Sequence, residues 1–249
     1  MSKTWKEAIT TESFQRRAKY VFRQDMFETA KKLQAASKNG NHEDVRKLLS
    51  LCMWNVSNVR RKYCLLRRMY HVDPLCEATI GGHTDVVKLL LDNGAQPNCQ
   101  NQSGCTPLYS AVRLDHKEIV HLLLEAGAKP DHAPSPNSPL QLAAWKGETY
   151  LVQLLLDRGA DPNKVGPLSR TPLHNAVSRG HVGVGKMLIK RGAKVDHADE
   201  DGITPLHEAL FNCNIHVDGI TRSWNAQLRK DNDEMVRLLI NEGDEVVAL

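Results

Sequence analysis

One dipeptide returns at a fixed step along this chain. Pro74-Leu75, Pro107-Leu108, Pro139-Leu140, Pro172-Leu173 and Pro205-Leu206 follow one another at intervals of 33, 32, 33 and 33 residues. Two other features keep the same register. Val87, Val120 and Val152 each lie 13 residues after their proline, and Gly94, Gly127, Gly159 and Gly192 each lie 20 after it. A period of this length means one small supersecondary unit, stacked on copies of itself so that neighbours share a core.

Each recurring residue has a mechanical role. In Thr106-Pro107, Thr171-Pro172 and Thr204-Pro205 a capping hydroxyl precedes a proline at the first helical position, where the missing N–H costs nothing. Small residues follow (Ala78, Ala111, Ala143-Ala144, Ala176, Ala209), and these allow helices to approach closely. Gly82-His83 and Gly180-His181 supply a tight turn between two helices. The second helix then shows an apolar stripe, Val86, Val87 and Leu89–Leu91 in one copy, Ile119, Val120 and Leu122–Leu124 in the next. Gly-Ala, as in Gly94-Ala95, ends that helix. A polar connector leads to the following copy and is expected to form a hairpin.

These units resemble the ankyrin repeat, a turn plus two helices with the signature T-P-L-H-x-A. Thr171-Pro172-Leu173-His174-Asn175-Ala176 and Thr204-Pro205-Leu206-His207-Glu208-Ala209 match it at every fixed position. A degenerate first copy reads Leu33 to Gly40, followed by Val45, Leu48 and Leu49, so the resemblance covers residues 31–243. It implies an all-α solenoid of six stacked ankyrin repeats, near 31–52, 72–100, 101–132, 133–164, 165–197 and 198–249. Helix-turn-helix units alternate with hairpin connectors over residues 31–249, and a helical extension precedes them at 1–30.

Departures from the period are the informative places in a one-dimensional stack. Residues 1–30, with Phe14, Val21, Phe22, Met26 and Phe27, read as a cap for the first repeat or as a helix that docks a partner. An insertion near 53–70 carries Arg60-Arg61-Lys62 and Arg67-Arg68 among Tyr63, Leu65, Leu66 and Tyr70. It reads as a basic docking loop, a nuclear-import signal, or a solvated insertion packed through its leucines. A second insertion near 214–231 splits the last repeat and holds Trp224 with Arg222, Arg229 and Lys230; lengthening a surface loop adds little closure entropy. No polar capping repeat follows Gly243. The split repeat is then its own cap, another subunit covers it, or the sequence continues in a longer protein.

In the ankyrin family, partners contact the hairpin tips and the exposed face of the first helices. By resemblance, those positions fall six and seven residues after each proline: Lys38-Asn39, Ile80-Gly81, Arg113-Leu114, Trp145-Lys146, Ser178-Arg179 and Phe211-Asn212. Ile80, Leu114, Trp145 and Phe211 are apolar anchors, and Arg113, Lys146 and Arg179 are cations beside them. Tyr70, Arg170 and Trp224 join the contact candidates. Trp and Arg are enriched among interface hot spots, and an apolar, basic groove suits a peptide with apolar anchors and acidic flanks. The resemblance also assigns His174 and His207 to bridging adjacent hairpins, and marks Asn163 as a connector asparagine of the kind that a hydroxylase modifies. Trp145 and Phe211 have an alternative reading, as packing against a neighbouring repeat.

Composition and motifs bound the remaining function classes. With only 5% aromatic residues, packing rests on Leu, Val, Ile and Ala. The net charge of +4 divides into +10 over residues 1–70 and −6 over the rest, which steers a partner to one end without being a nucleic-acid signature. Cys52, Cys64, Cys76, Cys99, Cys105 and Cys213 include no CxxC pair and read as reduced thiols, with no Cys/His set at zinc-site spacing. No Gly-rich phosphate loop, GxSxG or HExxH occurs. No catalytic residue, cofactor or metal is therefore expected. The apolar runs are too short to cross a bilayer, and Met1–Thr10 lacks the apolar core of a secretory signal. The expected protein is an adaptor in the cytoplasm, with the nucleus as an alternative, binding another protein rather than nucleic acid. Gly94-Ala95-Gln96-Pro97-Asn98 and Gly159-Ala160-Asp161-Pro162-Asn163 are similar in style to the ankyrin-and-SOCS-box proteins, although no SOCS box is present. Substrate recruitment for a ubiquitin ligase, if the sequence continues in a longer protein, is one alternative, and a structural subunit of a larger assembly is another.

Overall fold

The computed structural model describes residues 28–53, 73–132, 137–214 and 226–247. Tyr70, Trp224, the basic segment from residue 54 and the extension before residue 28 lie outside the described residues. Two compact units make up the chain, Met1–Gln102 and Ser103–Leu249. Among the described residues the elements are helical, with no strand, and no helix is long and apolar enough to cross a membrane.

The first unit contains α1 (residues 28–38), α2 (His42–Met53), α3 (Pro74–Ile80) and α4 (Thr84–Asp92). Asp73 starts α3: its carboxylate accepts the Cys76 N–H at 3.3 Å, and Pro74 fills the first turn. Leu33, Val45, Leu75, Ala78, Val86, Val87 and Leu90 are buried. The imidazole of His83, in the turn between α3 and α4, bonds through Nε2 to the Lys38 carbonyl at the end of α1, at 2.9 Å.

In the second unit the first helices are α5 (Pro107–Arg113), α7 (Pro139–Lys146), α9 (Pro172–Ser178) and α11 (Pro205–Asn214). Their partners are α6 (Lys117–Glu125), α8 (Thr149–Asp157), α10 (Val182–Lys190) and α12 (Ala226–Val247). Each first helix packs on the next, α5 on α7, α7 on α9, and α9 on α11. Two of the hydroxyls at the prolines cap as expected: Thr106 accepts the Tyr109 N–H at 3.2 Å and Thr204 the His207 N–H at 3.4 Å. Ser138 fills the same place before Pro139, accepting the Gln141 N–H at 3.1 Å while Gln141 Oε1 accepts the Ser138 N–H at 2.8 Å.

Burial follows the repeat register. Leu108, Leu140 and Leu173 of the first helices, and Ile119, Leu123, Leu151, Leu155 and Leu188 of the second, are wholly enclosed. Each such side chain contributes roughly 1.5–3 kcal/mol through removal from water. Gly185 lets α12 approach α10, because a Cβ there would lie 2.9 Å from the Met235 methyl. The final pair differs from the others. Met235 and Leu239 are buried, whereas Val236, the valine in register, is only half-buried. Its helix begins at Ala226, inside the inserted stretch, and runs past Gly243 to Val247.

Connectors close by hydrogen bonds rather than by ladders. Gly166 N–H donates to Arg170 O and Asp199 N–H to Ile203 O, each at 2.9 Å, and Glu200 N–H joins neighbouring connectors through Leu168 O at 3.0 Å. His174 fixes the same junction. Its Nδ1 accepts the Thr171 N–H at 3.2 Å, and its Nε2 lies 3.1 Å from Ile203 O, which sets the neutral tautomer with the proton on Nε2.

Candidate functional site

The ends of α5, α7, α9 and α11 present the second unit's candidate contact residues. On α5 the inward side chains are Pro107, Leu108, Ser110, Ala111 and Val112, the last of them six residues after the capping Thr106. The next positions turn away from the core. Phe211 keeps 66% of its surface exposed, Trp145 43% and Leu114 38%. Phe211 and Trp145 therefore both keep surface that a ligand can reach.

Trp145 is held from two sides by the following repeat. The Arg179 guanidinium lies over its ring, 4.1 Å from the centroid, an arrangement worth roughly 0.5–1 kcal/mol at an exposed site. His181 Nε2 bonds to the Trp145 carbonyl at 3.2 Å. That contact requires Gly147: its φ is +74°, and a Cβ there would lie 2.6 Å from the His181 ring. The result is an exposed indole with a guanidinium on one face and its backbone tied to the next repeat.

The cations of the row divide by role. Arg113 and Arg179 are exposed. Lys146 turns back, donating from Nζ to Arg113 O at 2.6 Å and to Val112 O at 3.3 Å. There it adds to the Asp115 N–H that Val112 O already accepts at 3.3 Å and ties α7 to the end of α5. Arg170 is half-buried and donates to Glu208 Oε2 at 2.5 Å, tying the connector before α9 to α11. Ile80, 38% exposed, ends α3 in the first unit.

Asn163 secures the next connector, with Nδ2 donating to Gly192 O and Oδ1 accepting the Lys194 N–H, both at 2.8 Å. Its own N–H bonds Asp161 Oδ1 at 2.8 Å. Asp131 performs a related task, accepting the Asp161 N–H at 3.0 Å, and partial burial pushes its carboxyl above the ordinary value.

Other exposed apolar residues lie on the same unit and were not singled out by the repeat register. Leu210, 42% exposed beside Phe211, occupies a register position that Val112, Ala144 and Val177 bury. Val165, Leu168 and Ile203 are exposed on connectors. Apolar residues in an otherwise polar connector are the signal that could have found these three.

The sequence matches the family model of ankyrin repeats (three copies) over residues 33–133 and 138–221, more than half of the chain. No curated protein is similar enough to the chain to count as a match.

Proposed function

Since this chain belongs to the ankyrin-repeat family, whose repeats are generally protein–protein interaction modules, we propose that it is an adaptor that binds another protein through the first-helix ends of its second unit. The observation that carries this reading is Trp145, exposed yet fixed by Arg179 above its ring and by His181 at its carbonyl. A rigid aromatic presented this way loses little side-chain freedom on binding. Leu114 and Phe211 supply further apolar contact area, and Arg113 and Arg179 supply positive charge. The complementary ligand is a protein segment with apolar anchors and acidic flanks.

A displayed peptide library selected on the full chain tests this. Enriched peptides should combine aromatic or aliphatic residues with Asp or Glu. Trp145→Ala should weaken them by about 2 kcal/mol or more while leaving helix content unchanged, and Phe211→Ala should weaken them as well. Affinities unchanged in both variants would remove this face from the function. A lost melting transition in Trp145→Ala would mean that the indole is a packing residue.

A further inference from the structure

Three positions depart from the repeat pattern together in the repeat that begins at Pro74. The residue before the proline is Thr106, Ser138, Thr171 or Thr204 in the later copies, and here it is Asp73. The residue two after the proline is Tyr109, Gln141, His174 or His207 elsewhere, and here it is Cys76. Twenty-five residues after the proline stand His132, Lys164 and His197 in the next three copies, and here Cys99. The sequence alone shows no metal-site spacing, because 23 residues separate the two cysteines.

The fold closes these three residues on one point. Cys76 Sγ and Cys99 Sγ lie 3.8 Å apart, Cys99 Sγ lies 3.2 Å from Asp73 Oδ1, and one donor atom from each residue lies within 4.8 Å of the others. All three are buried: Asp73 is 8% exposed, Cys76 0% and Cys99 6%. Two thiolates bound tetrahedrally at about 2.3 Å from zinc stand about 3.8 Å apart, and a carboxylate oxygen on the same ion stands about 3.5 Å from each. The sulfur–sulfur distance matches one edge of such a site, the Cys99–Asp73 distance is about 0.3 Å short of a second, and the Cys76–Asp73 pair lies within the 4.8 Å that brackets the set.

We propose that Asp73, Cys76 and Cys99 form a binding site for a thiophilic divalent cation of the zinc type. Thiolate ligands select such ions over magnesium or calcium. Binding replaces two S–H protons, released to solvent, by two metal–sulfur bonds, and the Asp73 carboxylate gives the third bond. Water or the second carboxylate oxygen completes the tetrahedron. The cation balances two of the three negative charges that the ligands then carry. Its task is positional. In another repeat Gln141 reaches from this slot to the connector at Arg170 O, 2.7 Å away. Cys76 is too short for that reach, and a metal joining it to Cys99 fastens the start of α3 to its own connector.

Cobalt(II) titration of the reduced full chain, followed by absorbance, tests the proposal. One equivalent should give a thiolate-to-metal charge-transfer band and tetrahedral d–d bands, both lost on adding zinc. Cys76→Ser and Cys99→Ser should each abolish the bands, while Cys105→Ser should keep them. X-ray absorption of the zinc-loaded wild type gives a readout that does not depend on the folding of any variant: two sulfur scatterers at about 2.3 Å are expected. The proposal is overturned by the absence of thiolate bands, by their survival in both serine variants, by a zinc shell without sulfur, or by an intact mass showing the two thiols oxidised to a disulfide in protein that takes up no metal.

Discussion

Two residues in the same repeat slot solve the same problem with different chemistry. Gln141 accepts the Ser138 N–H through Oε1 and donates through Nε2 to Arg170 O. His174 accepts the Thr171 N–H through Nδ1 and meets Ile203 O through Nε2. Only the histidine titrates near neutrality. Burial, foremost, holds its pKa below the ordinary value of 6.5, so the native state resists a proton that the unfolded chain accepts. Where the unfolded state binds more protons, stability rises with pH. The stability linked to His174 is therefore complete above about pH 6.5 and is lost as pH falls through that value toward the lower native pKa. His174→Gln should keep both bonds and remove this component, so its melting temperature should fall less than that of the wild type between pH 7.5 and pH 5. Equal losses in the two proteins would show that His174 contributes nothing to the acid sensitivity.

At the scale of the element, the turn between α7 and α8 decides how the contact face is held. Gly147 combines a positive φ with the close approach of the His181 ring. Gly147→Ala should cost between about 1 and 3 kcal/mol, partly from left-handed backbone strain and partly from the displaced ring. In a His181→Ala background the ring is gone, and the same change should cost only the strain, about 1 kcal/mol. Chemical denaturation of the four proteins checks this; additive costs would show that ring and glycine are not coupled. The corresponding turns at Gly82-His83 and Gly180-His181 were legible in the sequence, as were the proline starts, because each follows from the backbone preferences of one or two adjacent residues. What lay outside the sequence depends on neighbours in space. The register puts Lys146 in the row of cations, but its reach back to the carbonyls of Val112 and Arg113 depends on how α7 sits against α5. Leu210 shares a register position with Val177, yet one is exposed and the other buried. The Cys76–Cys99 contact joins residues 23 apart in sequence and needs the connector's path to be known.

Over the whole molecule, stability in a stack of this kind is a sum of units and of contacts between neighbours, and local openings follow those units. Within the second unit α7 packs on α5, α8 and α9, and α8 packs also on α10, whereas α12 packs on α10 and α11. Leu155 and Met235, both 0% exposed, lie on α8 and α12. Truncating Leu155 to alanine removes a side chain flanked by repeats on both sides and should cost roughly 2–5 kcal/mol. Because its neighbours share that core, amides of α7, α8, α9 and α10 should lose hydrogen-exchange protection together. Met235→Ala removes a side chain of α12 that lies opposite Gly185 of α10, so protection should fall first in α11 and α12 and persist in α7 and α8. Hydrogen exchange resolved by helix distinguishes this from a single cooperative block. If both variants lower protection equally across every helix of the unit, nearest-neighbour coupling is the wrong description and the unit opens only as a whole.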